Sequence, residues 1–370
     1  MVRNRLEGGC PTYMKEQLPL GLSNEMDAQQ PIPSEKALMI PKEFLDTIYH
    51  GDCKELLRKL PDESINLVVS SPPYNIGKGK EKRRELDKYL EEQEEVLKEC
   101  VRVLRPTGSL FWQVGSYVEN SRHIPLDIKF FPILESLGMI PRNRIIWIRP
   151  HGLHAKKRFS CRHETILWFT KSDNYKFFLD PIRVPQKYPN KKHWKGPRKG
   201  QFTSHPLGKN PGDVWAFRNV KHNHEEQTIH PCQFPEDMIE RIVLATTERG
   251  DIVLDPYMGS GTTAVVARNF GRHFCGAEIE KQYIEVALRR LRGTPDEHGC
   301  FPNLKTLREY CARHGIEDTS PFRFDTQTGR KPTPRHLARI YPEHVHLERF
   351  IEQTAWEAEK AVYKRTLFDV

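Results

Sequence analysis

The chain has 370 residues, of which 37% are hydrophobic and 29% charged, with 18 Phe, 12 Tyr and 6 Trp. That supplies one large core or two ordinary ones and excludes a disordered chain. No run approaches the ~20 apolar residues of a membrane helix, the first residues lack the apolar centre of a signal peptide, and the eight cysteines form no CxxC pair, so a cytoplasmic chain without a disulfide scaffold or zinc ribbon is expected.

The formal charge of +9 is spread unevenly. Residues 141–222 carry 19 Lys/Arg against 4 Asp/Glu, while the rest of the chain carries 39 against 45. Twelve aromatics lie in that basic stretch, among them Trp147, Trp168, Tyr188, Trp194 and Trp215. Cations interleaved with flat rings suit a polyanion that also offers bases, although a solvated charged face gives the same composition.

In chain order, residues 1–40 are polar, without sustained period, and read as a tail or arm. Ile48 to Cys53 reads as a strand end and turn, Lys54 to Leu60 as a short helix, and Ile65–Val69 as a buried strand. Ser70-Ser71-Pro72-Pro73-Tyr74 follows, and two prolines mark that strand's carboxyl end. Leu86, Leu90, Leu97, Val101 and Leu104 space out an amphipathic helix over 81–104, stopped by Pro106-Thr107-Gly108. A strand at Ser109–Val114, a helix near 126–137 and a strand at Arg144–Ile148 come next. The basic insert, 151–222, shows one strand, Glu164–Phe169, amid Pro, Gly, Lys and Asn. A helix over Phe234–Thr246 has Pro235 in its first turn. Strand Ile252–Asp255, helix Ala264–Asn269, strand Phe274–Glu278 and helix Lys281–Leu291 complete the pattern. Strands alternating with helices predict an α/β fold with a doubly wound, mostly parallel sheet. The body spans 41–150 and 223–292, discontinuous around the insert, and 293–370 reads as a helical extension of no evident chemistry.

Two strand ends carry the chemistry. Asp255-Pro256-Tyr257-Met258-Gly259-Ser260-Gly261-Thr262-Thr263 runs from a strand through a Gly-rich turn into a helix, the place where open α/β sheets bind nucleotides. No GK[ST] is present, so a phosphate-gripping loop is not indicated. Glu278 ends the next strand and can accept hydrogen bonds from both hydroxyls of a ribose, while Asp255 suits the ammonium of an amino-acid moiety. Ribose plus amino acid describes S-adenosylmethionine. At the other strand end, the Ser71 hydroxyl and the Pro72 carbonyl can accept the two N–H bonds of a base's amino group. Acceptors there localise a lone pair otherwise delocalised into the ring and aim it at a methyl donor. Pro73 stiffens the loop without a competing N–H, and Tyr74 offers a ring for stacking. Taken singly, each motif is also a strand-terminating turn.

These motifs resemble those of the amino-group DNA methyltransferases. The matching residues are Gly51-Asp52-Cys53, Leu60–Ile65, Ser71–Ile76, His230-Pro231, Phe234-Pro235, Asp255–Thr263 and Glu278, which cover roughly 48–291. The order, catalytic loop first, basic insert between and cofactor loop last, resembles the permuted β group. It argues against the glutamine and RNA methyltransferases that share an [ND]PPY-type loop. The resemblance implies the S-adenosylmethionine-dependent methyltransferase fold, that cofactor, and a target base swung out of double-stranded DNA. It implies that Asp52 contacts the adenine of the cofactor, that Phe234 and Pro235 cover the methionine end, and that Asp255, Pro256, Tyr257, Gly259, Ser260, Gly261, Thr262 and Glu278 line the rest of its site. Lys156, Lys157, Arg158, Lys191, Lys192 and Lys195 are expected at phosphates. Many adenine-N6 members begin the loop with Asp, whereas Ser-Pro-Pro-Tyr resembles cytosine-N4 members, so cytosine N4 is expected and adenine N6 is the alternative. A cognate restriction endonuclease and a homodimer are the further partners the resemblance suggests.

Three constellations compete with this reading. Pro231-Cys232-Gln233 is similar to the thiolate loop of cytosine-C5 enzymes but precedes the cofactor loop, at the start of a helix, where packing is expected. His222, His224 and His230 with Cys232 match no zinc spacing, and no metal is expected. His163-Glu164 reads as a strand start or base contact before it reads as a catalytic pair. The rivals from other classes are a DNA-binding module without activity, which leaves both loops idle, and an RNA or protein methyltransferase.

Overall fold

The computed structural model describes residues 40–292 apart from 78–80, 121, 150–153, 185–190, 204, 206–207, 222–223 and 225. The expected arm and C-terminal extension therefore lie outside the described residues, as do Tyr188 and His222. In chain order the elements are β1 (Thr47–His50), α1 (Cys53–Lys59), β2 (Ile65–Ser70), α2 (Leu86–Val103), β3 (Leu104–Val114), β4 (Ser116–Glu119), β5 (Arg122–Pro125), α3 (Leu126–Ser136), β6 (Ile140–Ile148), β7 (His163–Thr170), β8 (Val214–Trp215), α4 (Glu236–Thr246), β9 (Ile252–Asp255), α5 (Thr262–Asn269), β10 (His273–Glu278) and α6 (Lys281–Arg292). Eight strands form one sheet in the order β1-β10-β9-β2-β3-β7-β6-β8, and β4 pairs with β5 in a separate ribbon. Pairing is parallel from β1 through to β3 and again between β6 and β8; β7 runs antiparallel to both its neighbours. The mostly parallel sheet with helices on both faces is the architecture expected from the sequence. Among the described residues, no helix is long and apolar enough to cross a membrane.

The short apolar runs are strands because both faces of the sheet are covered. Along β2, Ile65 and Val68 enter the core beneath α1, α2 and α3, whereas Leu67 and Val69 enter the core on the α4 and α5 side. Leu110 and Trp112 alternate with Phe111 in the same way on β3, and Leu167 and Phe169 with Ile166 and Trp168 on β7.

Three expectations shift. The buried stripe of α2 is Tyr89, Gln93, Val96, Leu97, Cys100 and Val103, so of the expected row Leu97 lies in it and Leu104 is buried just beyond, at the start of β3. Leu86, Leu90 and Val101 pack at its margin, because the polar tips of Tyr89 and Gln93 bond inward, to the Pro73 carbonyl (2.6 Å) and the Tyr257 hydroxyl (2.9 Å). Pro106-Thr107-Gly108 does not precede the next strand but lies inside it. β3 begins at Leu104, and a register shift absorbs the extra residues before Ser109 pairs with Leu67. Finally, the stretch 151–222 is not wholly an appendage: β7 lies in the sheet between β3 and β6, and β8 closes its edge.

The carboxyl ends of β2 and β9 meet side by side, with Leu67 opposite Val253 and Val68 opposite Leu254. Just beyond, Ser70 Oγ donates to Asp255 Oδ1 (2.5 Å), Thr263 Oγ1 donates to Asp255 Oδ2 (2.6 Å), and the Tyr257 amide donates to Oδ1 (3.0 Å). Asp255 is wholly buried. From α6, Arg290 grips the turn that follows: it bonds the Ser260 carbonyl (2.8 Å), Ser260 Oγ (3.2 Å) and Thr262 Oγ1 (2.9 Å), and pairs with Glu236 on α4 (2.7 Å). Both partners are almost inaccessible.

Removing one member of such a pair strands a buried charge, so Arg290→Ala should cost about 3–5 kcal/mol in chemical denaturation; a loss under 1 kcal/mol would mean water reaches Glu236. The second expectation concerns pH. Burial pushes the Asp255 carboxyl up to about 6 despite its three hydrogen bonds, above the ~3.9 of an unfolded chain. Between those values the folded state holds the extra proton, so this group's contribution to stability falls as pH rises through the window. Asp255→Asn, which cannot ionise, should therefore gain in Tm on the wild type between about pH 4 and about pH 6 and hold that gain at higher pH. Parallel Tm curves for the two proteins would refute it.

Candidate active site

Ser71-Pro72-Pro73-Tyr74, the loop expected to be catalytic, leaves the carboxyl end of the central strand β2. Ser71 and Tyr74 are half-buried, Pro72 is buried and Pro73 exposed. Tyr89 takes the Pro73 carbonyl, whereas no described protein group donates to the Pro72 carbonyl. Ser71 Oγ and Tyr74 Oη share a hydrogen bond (3.0 Å), and Tyr74 Oη donates to Glu164 Oε2 (3.3 Å). Burial, and then the Glu164 carboxylate, raise the Tyr74 phenol well above its ordinary value, which keeps it a donor. The chain beyond is clamped. Glu81 accepts the amides of Asn75, Ile76 (3.0 Å) and Gly77 (3.1 Å), and the Asn75 side chain exchanges hydrogen bonds with the Arg84 backbone (2.8 and 2.6 Å). Asn75 entered the sequence reading only as part of the Ser71–Ile76 motif, and Glu81 and Tyr89 were not singled out; both sit in a charged stretch that gives no sign of which side faces the loop.

The Gly-rich turn stands beside this loop. Gly261, at φ +79°, caps α5, and a Cβ there would stand 2.6 Å from the Ala287 Cβ, so the turn needs glycine both for its conformation and for the close approach of α6. Glu278 Oε2 accepts the Gly259 amide (2.8 Å) and Oε1 accepts the Glu280 amide (2.8 Å). Burial raises this carboxyl above its ordinary range. Its side chain remains partly exposed. Asp52 is exposed at the start of α1, accepting the Lys54 amide (2.8 Å), and the adjacent Gly51 amide donates to the Glu278 carbonyl (3.1 Å). Asp52, Glu278 and Asp255 thus follow the carboxyl ends of three neighbouring strands, β1, β10 and β9. Pro256, Ser260 and Thr262 are buried, Tyr257 half so.

Other expected residues fall differently. Asp255 does not face an ammonium: it is fully buried and its oxygens are taken by Ser70, Thr263 and the Tyr257 amide. Phe234 is buried in the core with Met258, and Pro235 precedes α4 as its cap. Cys232 is exposed in the turn before α4, within electrostatic reach of Tyr74, rather than packed. Among the described residues no group of three potential ligands could hold a metal; His224 Nδ1 accepts the Glu226 amide, and His230 Nδ1 that of Cys232. Lys156, Lys157 and Arg158 are exposed in the connection from β6 to β7, at the sheet edge that carries Glu164. Lys191, Lys192 and Lys195 are exposed in a separate turn. Aromatics stand among them: Phe159 is 99% and Trp194 82% exposed, and Lys192 lies over the Phe202 ring.

Comparison with known proteins places this geometry. The DNA methylase profile of N6/N4 methyltransferases matches residues 65–289. The chain is 59% identical over 355 residues to the type II methyltransferase M.BglII of Bacillus subtilis, covering 95% of this chain and 97% of that protein. It is 39% identical to the DNA adenine methyltransferase YhdJ of Escherichia coli, covering 66% and 82%. The solved structure of PvuII DNA methyltransferase (cytosine-N4-specific) superposes with a TM-score of 0.53 at 22% identity, over 65% of this chain and 84% of that one, a likeness of fold. With the profile matching more than half of its length and a relative so similar along nearly all of it, the chain belongs to the N6/N4 DNA methylase family of DNA methyltransferases.

Proposed function

We propose that the protein transfers a methyl group from S-adenosylmethionine to the exocyclic amino group of a base flipped out of duplex DNA, with cytosine N4 as the target. One observation carries the reading: Ser70 and Asp255 join the strand ends from which the Ser-Pro-Pro-Tyr loop and the Gly-rich turn arise, so a nucleoside cradle and an amino-group cradle share one edge. Bound there, S-adenosylmethionine supplies an electrophilic methyl group. Glu278 suits it, partly exposed and oriented by two amides for ribose hydroxyls, while the glycines keep the turn close against His230 and Ala287. Asp52, exposed one strand further on, is assigned to the adenine. Asp255 acts from beneath, fixing the turn, and Phe234 and Pro235 back the site from the core.

Ser71 Oγ and the Pro72 carbonyl accept the two N–H bonds of the target amine. Tyr89 occupies the neighbouring Pro73 carbonyl, which leaves the Pro72 oxygen as the acceptor for the base. Such acceptors need no strong base, because the proton departs after the methyl group has moved. The Ser at the head of the loop favours cytosine. Adenine N6 is the second reading, favoured by the adenine specificity in the name of the Escherichia coli relative. The exposed cations from 156 to 195 are assigned to phosphate, and a restriction endonuclease of matching specificity is a proposed partner in view of the type II relatives.

Incubation with unmethylated genomic DNA and methyl-labelled S-adenosylmethionine, followed by nucleoside mass spectrometry, should give N4-methylcytosine. N6-methyladenine would reverse the base, and label found in RNA or protein alone would reject DNA as the substrate. Tyr74→Ala should retain cofactor affinity by calorimetry and lose turnover by about a hundredfold or more. DNA affinity should fall steeply with salt, and Lys156→Ala with Lys157→Ala should shallow the log–log slope by roughly 0.9 for each phosphate contact removed. An unchanged slope would take that loop out of the DNA interface.

A further inference from the structure

We propose that Glu164 is a positioning residue that makes the Ser71 hydroxyl an acceptor toward the target amine. The inference rests on the proposed function, in which Ser71 accepts one N–H of that amine. A serine hydroxyl has a proton of its own, and a proton turned toward an amine opposes the bond it must accept. Something must therefore draw that proton to the other side.

Glu164 is the second residue of β7, ninety residues from Tyr74 in sequence. Antiparallel pairing of β7 with β3 and β6 places it at the sheet edge where the catalytic loop turns. Three donors converge on its carboxylate: Arg149 Nη1 reaches Oε1 at 2.8 Å, and Gln113 Nε2 and Tyr74 Oη both reach Oε2. An ionised carboxylate accepts and cannot donate, and the Arg149 guanidinium supplies its countercharge. Tyr74 must then spend its single proton on Glu164. Its oxygen is left to accept from Ser71, 3.0 Å away. The direction of the whole chain is fixed: Ser71 donates to Tyr74, Tyr74 donates to Glu164, and the lone pairs of Ser71 remain for the substrate. Gly115 sets the geometry. A Cβ there would come within 2.8 Å of the Tyr74 ring, so the ring can lie against bare backbone with its hydroxyl aimed at Glu164.

Glu164→Gln presents an amide that can donate to Tyr74 and so reverses the chain. Tyr74→Phe keeps the ring and removes the link. In the full-length protein, with unmethylated genomic DNA and labelled S-adenosylmethionine, each should lower kcat about tenfold while the KM and calorimetric Kd for S-adenosylmethionine stay within about twofold. Because both act through one chain, the double variant should lose no more than the worse single. Wild-type kcat in Glu164→Gln, or an additive loss near a hundredfold in the double variant, would overturn the proposal. So would a parallel loss of cofactor affinity and thermal stability, which would make Glu164 a purely structural residue. A wild-type protein that methylates no amino group in DNA would overturn the proposed function and this inference with it, whereas normal wild-type methylation with unaffected variants would remove the inference alone.

Discussion

The site depends on the hydrogen bond between Ser70 and Asp255. Two parallel strands end side by side, and each hands the chain to a loop of different chemistry. A carboxylate beneath both loops is an expensive foundation, since burial disfavours its charge. Three hydrogen bonds offset that cost, and each comes from a different part of the site: the end of β2, the Gly-rich turn and the first turn of α5. Asp255 therefore couples the positions of the two loops. A methyl donor and an acceptor must meet within a few tenths of an ångström, and a shared buried anchor fixes their separation better than two independent ones.

Arg290 applies the same logic from the other side. Its guanidinium satisfies the outward-facing carbonyl and hydroxyls of the turn while Glu236 neutralises it. A planar fork with several donors can hold a tight turn from one direction, which an ammonium could not. The turn is thus held by an anion below and a cation behind. Its glycines are covered by the His230 ring and by Ala287 of α6, which keeps the turn tight against its neighbours.

Much of this was legible in the sequence. The strand–loop pairs at Ser71–Tyr74 and Asp255–Thr262 announced themselves through prolines, glycines and terminal acids, because backbone conformation at those points admits few residues. The apolar runs announced a sheet covered on both faces. What escaped was long-range register. The order of β7 and β6 in the sheet is not encoded in either run, so Glu164 read as a strand start or a base contact ahead of a catalytic residue. The α2 stripe misled because Tyr89 and Gln93 bury their stems and bond through their tips. Asp255 was read as facing a ligand because an acid at a strand end points either way; the hydroxyls of Ser70 and Thr263, flanking it in space, decide that it points in.

The antiparallel strand β7 links the two halves of the proposed chemistry. Its first residues stand at the sheet edge, where Glu164 meets the catalytic loop, and the connection that leads into it carries Lys156, Lys157 and Arg158. The cations assigned to phosphate and the carboxylate proposed to orient Ser71 are thus joined by a few residues of one chain segment. Arg149, at the far end of the same connection, closes that segment back onto Glu164. Acceptor geometry at Ser71 and Pro72 serves cytosine and adenine amines alike, so the choice between them must come from the walls around the flipped base.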